Sequence, residues 1–456
     1  MNSNKIYCRR AFDHAQLLDN GEVSPCCPPW VNHYSLGNIN KQSYEEIWNG
    51  EKAQKFRESI LDGSYKYCNA KSCPHLKSKT HCVGTIEDHE RGHVHKDIME
   101  DMSKEKTIIE HGPHEVQFCY DRSCNLSCPS CRRDVIMVSG EKKQELLDMQ
   151  AKFKEYFLRD ADRFTVTSSG DPFASPIFRK LLQTLKRSDA PNIRHINIMT
   201  NGLLLKKHWH TLSDYSKEKI EYVSVSIDAS TPETYAINRR GGDWDLLHEN
   251  LKFIQRLKLN KKILEFQASF VVQDNNFREI KDFVLMCEGY GITHIQLQII
   301  EPDFIRDLGY GDYLEEWIQK AVHEKEHPNH NELLKIIKDD FFAKYIDNLD
   351  IHKPEVTIAM GPLLTLRDGG SISQYDDLLE EEKELKKEKE EEKRIKDGLG
   401  LVKKGLLKDV WYKNEIHFIN PESLRKENGT DIAELPTKET VAWNKNEEKW
   451  IKHHAR

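Results

Sequence analysis

The chain has 456 residues, a formal charge of −7, 31% charged and 38% apolar residues, and an isoelectric point near 6.3. That length is enough for roughly three domains, and no run of about 18 apolar residues is present to cross a membrane. The acidic total argues against non-specific nucleic-acid binding.

The first residues, Met-Asn-Ser-Asn-Lys-Ile-Tyr-Cys, hold no apolar signal core, so a cytoplasmic protein is expected. Thiols stay reduced there, and eleven cysteines are then better read as metal ligands than as a disulfide framework.

Residues 1–85 are rich in Cys, Pro and Tyr, with a turn expected from Gly21 to Pro25 and a helix from Tyr44 to Ile47 capped by Ser43. Residues 86–113 carry His89, His93, His95 and His111 among charges. Their spacing is loose for a metal site, and the segment reads as a linker with some helix.

Residues 114–300 alternate β-rich runs with amphipathic helices. The runs are Val116–Phe118, Arg163–Thr167, His195–Met199, Tyr222–Ile227, Leu264–Val272 and His294–Ile300. Helical spacing marks Gln144–Leu158, Ile177–Arg187, Leu246–Leu257 and Phe277–Tyr290. The expected fold class is therefore α/β, a partial (β/α)6 TIM-like barrel, with its chemistry at the C-terminal ends of the strands. A small N-terminal Cys-rich domain precedes it and a charged C-terminal extension follows. Residues 301–375 read as a helical extension, with Trp317, Ile318, Leu333, Ile336 and Ile337 as core candidates. Residues 376–456 read as a charged helical arm and tail, because 378–397 is almost wholly Glu, Lys, Leu and Arg.

The sharpest motif is Cys124-Asn-Leu-Ser-Cys128-Pro-Ser-Cys131, a C-x3-C-x2-C run directly after the first barrel strand. Three thiolates on one loop can hold three irons of a cubane and leave the fourth open to a small molecule. The competing reading is a closed zinc site that recruits Cys119. Zinc, however, usually takes paired knuckles across a longer loop.

This spacing on this strand resembles the radical S-adenosylmethionine (radical SAM) superfamily. The resemblance continues in Thr167-Ser-Ser-Gly-Asp-Pro172 after the second strand, similar to that family's Gly-Gly-Glu motif. It also includes Thr200-Asn201-Gly202 after the third strand and Val223-Ser-Val-Ser-Ile-Asp-Ala-Ser230 around the fourth. It implies cofactor contacts from Ser169, Gly170, Asp171, Asn201, Ser226 and an arginine of the Arg239–Arg240 pair, with Arg239 preferred. Asp171 would meet the cofactor ammonium and Ser226 the ribose. Ser130 stands where relatives often place an aromatic residue against the adenine.

The N-terminal segment has Gly21 before Cys26 and Cys27, a Gly37-Asn-Ile39 run, Ile47-Trp48, and then Cys68 and Cys73. It resembles the SPASM auxiliary iron–sulfur domain, here placed ahead of the barrel and with a wider final cysteine pair. The resemblance implies ligation by Cys8, Cys26, Cys68 and Cys73, with Cys27 competing with Cys26. Four thiolates suit structural zinc equally well.

Together these resemblances imply an enzyme. It would hold a SAM-binding [4Fe-4S] cluster at Cys124, Cys128 and Cys131 and a second, auxiliary [4Fe-4S] cluster. An electron donor such as flavodoxin or ferredoxin would serve it, and its substrate would be a peptide or protein, or a sugar-like metabolite. The alternative is a metal-stapled binding protein without turnover. Asn201 would meet the cofactor or the substrate, and no catalytic residue is assigned.

Overall fold

The β-rich runs and amphipathic helices of residues 114–300 form a parallel sheet with helical crossovers in the computed structural model. The structure describes residues 5–300 except 71, 79–81 and 168, then 313–345 and 356–374. From 378 to 452 it describes the segments 378–380, 383–384, 387, 389–390, 393–396, 408–412, 415–419, 424–427, 430–435, 440–444 and 449–452. Two compact units are present, Met1–Gln374 and Tyr375–Arg456.

In the first unit, β1 (Tyr7–Cys8), β2 (His14–Leu17), β3 (Glu22–Ser24), β4 (Gly37–Asn38) and β5 (Val83–Gly84) come from the cysteine-rich segment. Six strands match the expected runs: β6 (Glu115–Phe118), β7 (Arg163–Val166), β8 (His195–Thr200), β9 (Ile220–Ser226), β10 (Glu265–Val272) and β11 (His294–Ile299). A further strand, β12 (Thr357–Ala359), lies in the stretch read as purely helical. The sheet runs β12-β11-β10-β9-β8-β7-β6-β2-β3-β4. All neighbours from β12 to β2 are parallel, and β3 and β4 are antiparallel.

The cysteine-rich segment is therefore not set apart at residue 85. Its β2 lies against β6 in register, His14 opposite Glu115 and Leu17 opposite Phe118. The hairpin turn falls between β2 and β3, ahead of the expected Gly21–Pro25. Gly21 takes φ +85° there, a conformation glycine adopts without a Cβ clash.

Local sequence explains the elements that flank this sheet. Ser43 and Glu46 form a capping box on the helix Tyr44–Trp48, and Thr85 and Asp88 another on Ile86–Arg91. The helix Gly140–Phe157 buries Leu146, Met149, Phe153 and Phe157, one stripe at three- and four-residue spacing. Burying each such side chain stabilises the fold by roughly 1.5–3 kcal/mol. Trp317, Leu333 and Ile337 are fully buried, whereas Ile318 and Ile336 are only partly covered. Among the described residues no helix is long and apolar enough to cross a membrane.

The second unit departs from the expected helical arm. Helix occurs within 378–396, but the described segments from Lys408 on are mostly β-strand. β13 (Lys408–Tyr412) pairs antiparallel with β14 (Glu415–Ile419). A separate antiparallel sheet runs β15 (Arg425–Glu427), β16 (Thr430–Glu434), β17 (Thr440–Asn444) and β18 (Lys449–Lys452). Ile419, Ala433, Leu435 and Val441 form a small buried cluster. Short strands of alternating character, with Val, Ile, Trp and Thr between charges, carry this unit.

Candidate active site

The three cysteines lie on the loop that leaves β6, at the C-terminal rim of the parallel sheet. Cys124 N–H donates to Ile136 O at 2.8 Å, and the two residues form an antiparallel bridge that closes the loop. Cys131 and Arg132 N–H both donate to Cys128 O at 2.9 Å, a tight turn. Ser127 N–H donates to Arg240 O at 3.1 Å, tying the loop to the chain beyond β9.

Each thiol meets a side-chain donor. Asn201 Nδ2 lies 3.7 Å from Cys124 Sγ, Arg239 Nη1 3.7 Å from Cys128 Sγ, and Arg132 Nη2 3.3 Å from Cys131 Sγ. Burial pushes the Cys124 thiol up to about 11, with Asp171 adding to it. Burial also raises Cys128, against the pull of Arg239. Cys124 and Cys128 are buried and Cys131 is partly exposed, so the site opens on the Cys131 side.

The spacing bears on what the thiols can hold. A single zinc ion with thiolate bonds of about 2.3 Å draws its sulfurs to about 3.8 Å of one another. Among the described residues, the three-donor set that does draw within 4.8 Å is made of His and Asp and lies elsewhere. The thiols of the loop are near enough for their charges to act on one another, yet are not gathered as one ion requires. A donor set of three thiols, wider than one ion and open on one side, fits a cubane cluster.

Asp171 follows β7, beside the cysteine loop. It is wholly buried. One carboxylate oxygen accepts from Phe173 and Ala174 N–H at 2.9 and 3.0 Å, the other from Thr200 Oγ1 and Asn201 N–H at 2.6 and 2.8 Å. These four bonds join the ends of β7 and β8.

Gly170 is likewise needed for packing. A Cβ there would lie 2.5 Å from Asp121 O and 2.7 Å from Ser123 O. The glycine lets the loop after β7 rest directly on the backbone of the cysteine loop. Ser169 Oγ donates to Cys119 O at 2.7 Å, and Ser169 O accepts from Arg132. Ser226, half-buried at the end of β9, accepts from Ser269 Oγ at 3.1 Å.

Arg239 and Arg240 divide clearly. Arg240 is at the surface on Ser127 and Arg133. Arg239 is largely covered and ion-paired to buried Asp228 at 2.7 Å, while its Nε makes no hydrogen bond within the protein. Asp228 in turn accepts from Val271 N–H at 2.8 Å.

At this rim, Arg132 and Asn125 escaped the sequence reading. Arg132 bridges Cys131 Sγ and the carbonyls of Arg122 and Ser169, and its only sequence signal is its place directly after Cys131. Asn125 accepts from Asn201 Nδ2 at 2.9 Å.

At the N-terminus, Cys8, Cys26, Cys68 and Cys73 line one small cavity with Arg10, Trp30 and Tyr65, whereas Cys27 lies outside its lining. Arg10 Nε donates to Cys26 Sγ at 3.2 Å. Burial pushes Cys68 up to about 12 and Cys8 well above the ordinary thiol value. Arg10, two residues after Cys8, is the cation that sits among these groups, and it too was missed.

Two family models match the chain: the iron–sulfur cluster-binding SPASM domain over residues 8–74, and the radical SAM superfamily over residues 121–287. A probable GTP 3′,8-cyclase of Methanococcus aeolicus is 26% identical over 178 residues, 39% of this chain and 56% of that protein. The GTP 3′,8-cyclase of Alkaliphilus metalliredigens is 28% identical over 162 residues, 35% of this chain and 48% of that protein. The chain thus spans about half the length of the curated relatives it matches. Among solved structures, Streptococcus suis SuiB aligns at 15% identity over 69% of this chain and 63% of its own, with a TM-score of 0.36. The structure of anSMEcpe with bound AdoMet aligns at 19% identity over 57% of this chain and 67% of its own, with a TM-score of 0.34.

Proposed function

Since this chain carries a radical SAM domain preceded by a SPASM domain, we propose that it is a radical SAM enzyme that cleaves S-adenosylmethionine reductively at Cys124, Cys128 and Cys131. Bound there, an iron–sulfur cubane with S-adenosylmethionine supplies one-electron cleavage of the sulfonium bond, giving a 5′-deoxyadenosyl radical for hydrogen abstraction. The supporting observation is one loop presenting three thiols, each met by a donor from a different place at the rim: Asn201 after β8, Arg239 after β9 and Arg132 on the loop itself.

The protein's own residues do the positioning. Asp171 and Gly170 hold the neighbouring loops against the cysteine loop, and the Arg239 and Arg132 cations offset negative charge on the thiolates. Ser169, Gly170, Asp171, Asn201, Ser226 and Arg239 stay the proposed cofactor contacts around the cysteine loop. Cys8, Cys26, Cys68 and Cys73 would hold an auxiliary cluster, with Arg10 as its charge partner. An electron donor such as flavodoxin or ferredoxin and a peptide, protein or sugar-like substrate complete the reading. The GTP cyclases share part of the barrel with this chain, which favours common cofactor chemistry rather than a common substrate.

Anaerobic reconstitution tests this. About eight irons per chain are expected, with formation of 5′-deoxyadenosine from S-adenosylmethionine under a strong reductant. Changing Cys124, Cys128 and Cys131 together to Ala should remove about half the iron and all of that product. Zinc in both sites, with no 5′-deoxyadenosine, would leave the binding-protein reading standing instead.

A further inference from the structure

The N-terminal ends of the parallel strands, opposite the cysteine rim, carry a second cluster of metal-ligating side chains. His95 immediately precedes the helix Lys96–Ser103 and Asp97 lies in its first turn. His114 precedes β6 and Asp162 precedes β7. Together they line an open basin of about 830 Å³ at the base of the sheet.

One ligand atom from each of His95, Asp97 and His114 lies within 4.8 Å of the other two. The two imidazoles are stacked, with ring centres 3.9 Å apart and planes at 18°, so the partly exposed His95 ring must turn for both in-plane lone pairs to meet one ion. His114 Nε2 stands 3.3 Å from an Asp97 oxygen. The ring nitrogens that face away have carboxylates beside them. His114 Nδ1 is 3.4 Å from Asp13 Oδ1, and His95 Nε2 bonds Asp162 Oδ2 at 3.1 Å. Imidazole ligands held from behind by carboxylates are the usual support of a protein-bound transition metal.

His114 and Asp13 are more than nine-tenths buried. The 3.4 Å approach of His114 Nδ1 to Asp13 Oδ1 suits a proton on Nδ1, which turns the Nε2 lone pair toward Asp97 and the basin.

The geometry points to a divalent transition-metal site of Zn²⁺ type, held by His95, Asp97 and His114 with a position open to the basin. It would join the linker that follows the cysteine-rich segment to the base of the barrel. The site is independent of the cysteine-bound groups and of the proposed radical chemistry.

Calorimetric titration of the iron-loaded protein with Zn²⁺ under anaerobic conditions tests it. One Zn²⁺ per chain is expected. His95→Ala and Asp97→Asn should each weaken binding at least about 100-fold with iron content and visible absorption unchanged. Asp162→Asn, which alters only the support of His95, should weaken it about 10- to 100-fold. Asp97→Glu keeps a carboxylate and should recover part of the affinity, which separates loss of a ligand from loss of fold. Absence of saturable binding, or binding that persists in both His95→Ala and Asp97→Asn, would overturn the assignment.

Discussion

The Arg239 guanidinium reaches Cys128 Sγ at 3.7 Å while ion-paired at 2.7 Å to Asp228, a carboxylate shut away from solvent. The pair places one positive charge at the cysteine loop without leaving it uncompensated. Removing one partner of a buried pair costs about 3–5 kcal/mol. Arg239→Met and Asp228→Asn should each destabilise the protein by about that much, and the double variant by less than the sum. Denaturant titration of the three variants reads this coupling, and simple additivity would show that the pair does not act as a unit.

Gly170→Ala should loosen the cysteine loop, since its Cβ would press on the carbonyls of Asp121 and Ser123. An overpacking cost of about 1–3 kcal/mol is expected, with lower iron retention after reconstitution. Gly289→Ala, where nothing lies within 4 Å of the added Cβ, is the control and should keep wild-type iron. Equal iron in both variants would dismiss the packing role.

Asp171→Ala should act on stability more than on cofactor affinity. Thr200 Oγ1 and the N–H groups of Phe173, Ala174 and Asn201 lose their acceptor together. Each unsatisfied buried group costs about 1–3 kcal/mol, so a total above about 3 kcal/mol is expected. A variant of unchanged melting temperature that binds S-adenosylmethionine weakly would restore Asp171 to the ligand.

Cys26 and Cys27 are adjacent but should behave oppositely. Cys26→Ala should reduce the auxiliary iron, because this thiol lines the cavity with Cys8, Cys68 and Cys73, whereas Cys27→Ala should leave iron unchanged. Iron and sulfide analysis distinguishes them, and iron loss in the Cys27 variant alone would exchange their roles.

His14 sets a pH dependence. Burial, with Arg10 beside it, lowers its pKa from 6.5 to about 3. The folded protein therefore keeps His14 neutral while the unfolded chain takes up a proton. Stability should fall as pH drops below about 6.5, by about 1.4 kcal/mol per pH unit until about pH 3. Urea unfolding between pH 6.5 and 5 should show one proton less of slope in His14→Gln. An unaltered slope would mean that another group carries the acid sensitivity.

The sequence by itself determined the features that rest on local spacing. Strands β6 to β11 and their helices follow from alternation and from apolar stripes such as Leu146, Met149, Phe153 and Phe157. The Cys124–Cys131 run carries its meaning in two spacings and one preceding strand. Only the tertiary structure decided what the rim residues bond. Asp171 accepts from Thr200 and Asn201, some thirty residues on, and Arg239 pairs with Asp228, and neither contact is written in a local pattern. The same holds for β2, four residues without a periodic signature that become a strand because β6 offers an open edge. It holds too for the His95, Asp97 and His114 cluster. Loose spacing argues against a site within residues 86–113, and the cluster exists because the base of β6 brings His114 beside the linker helix.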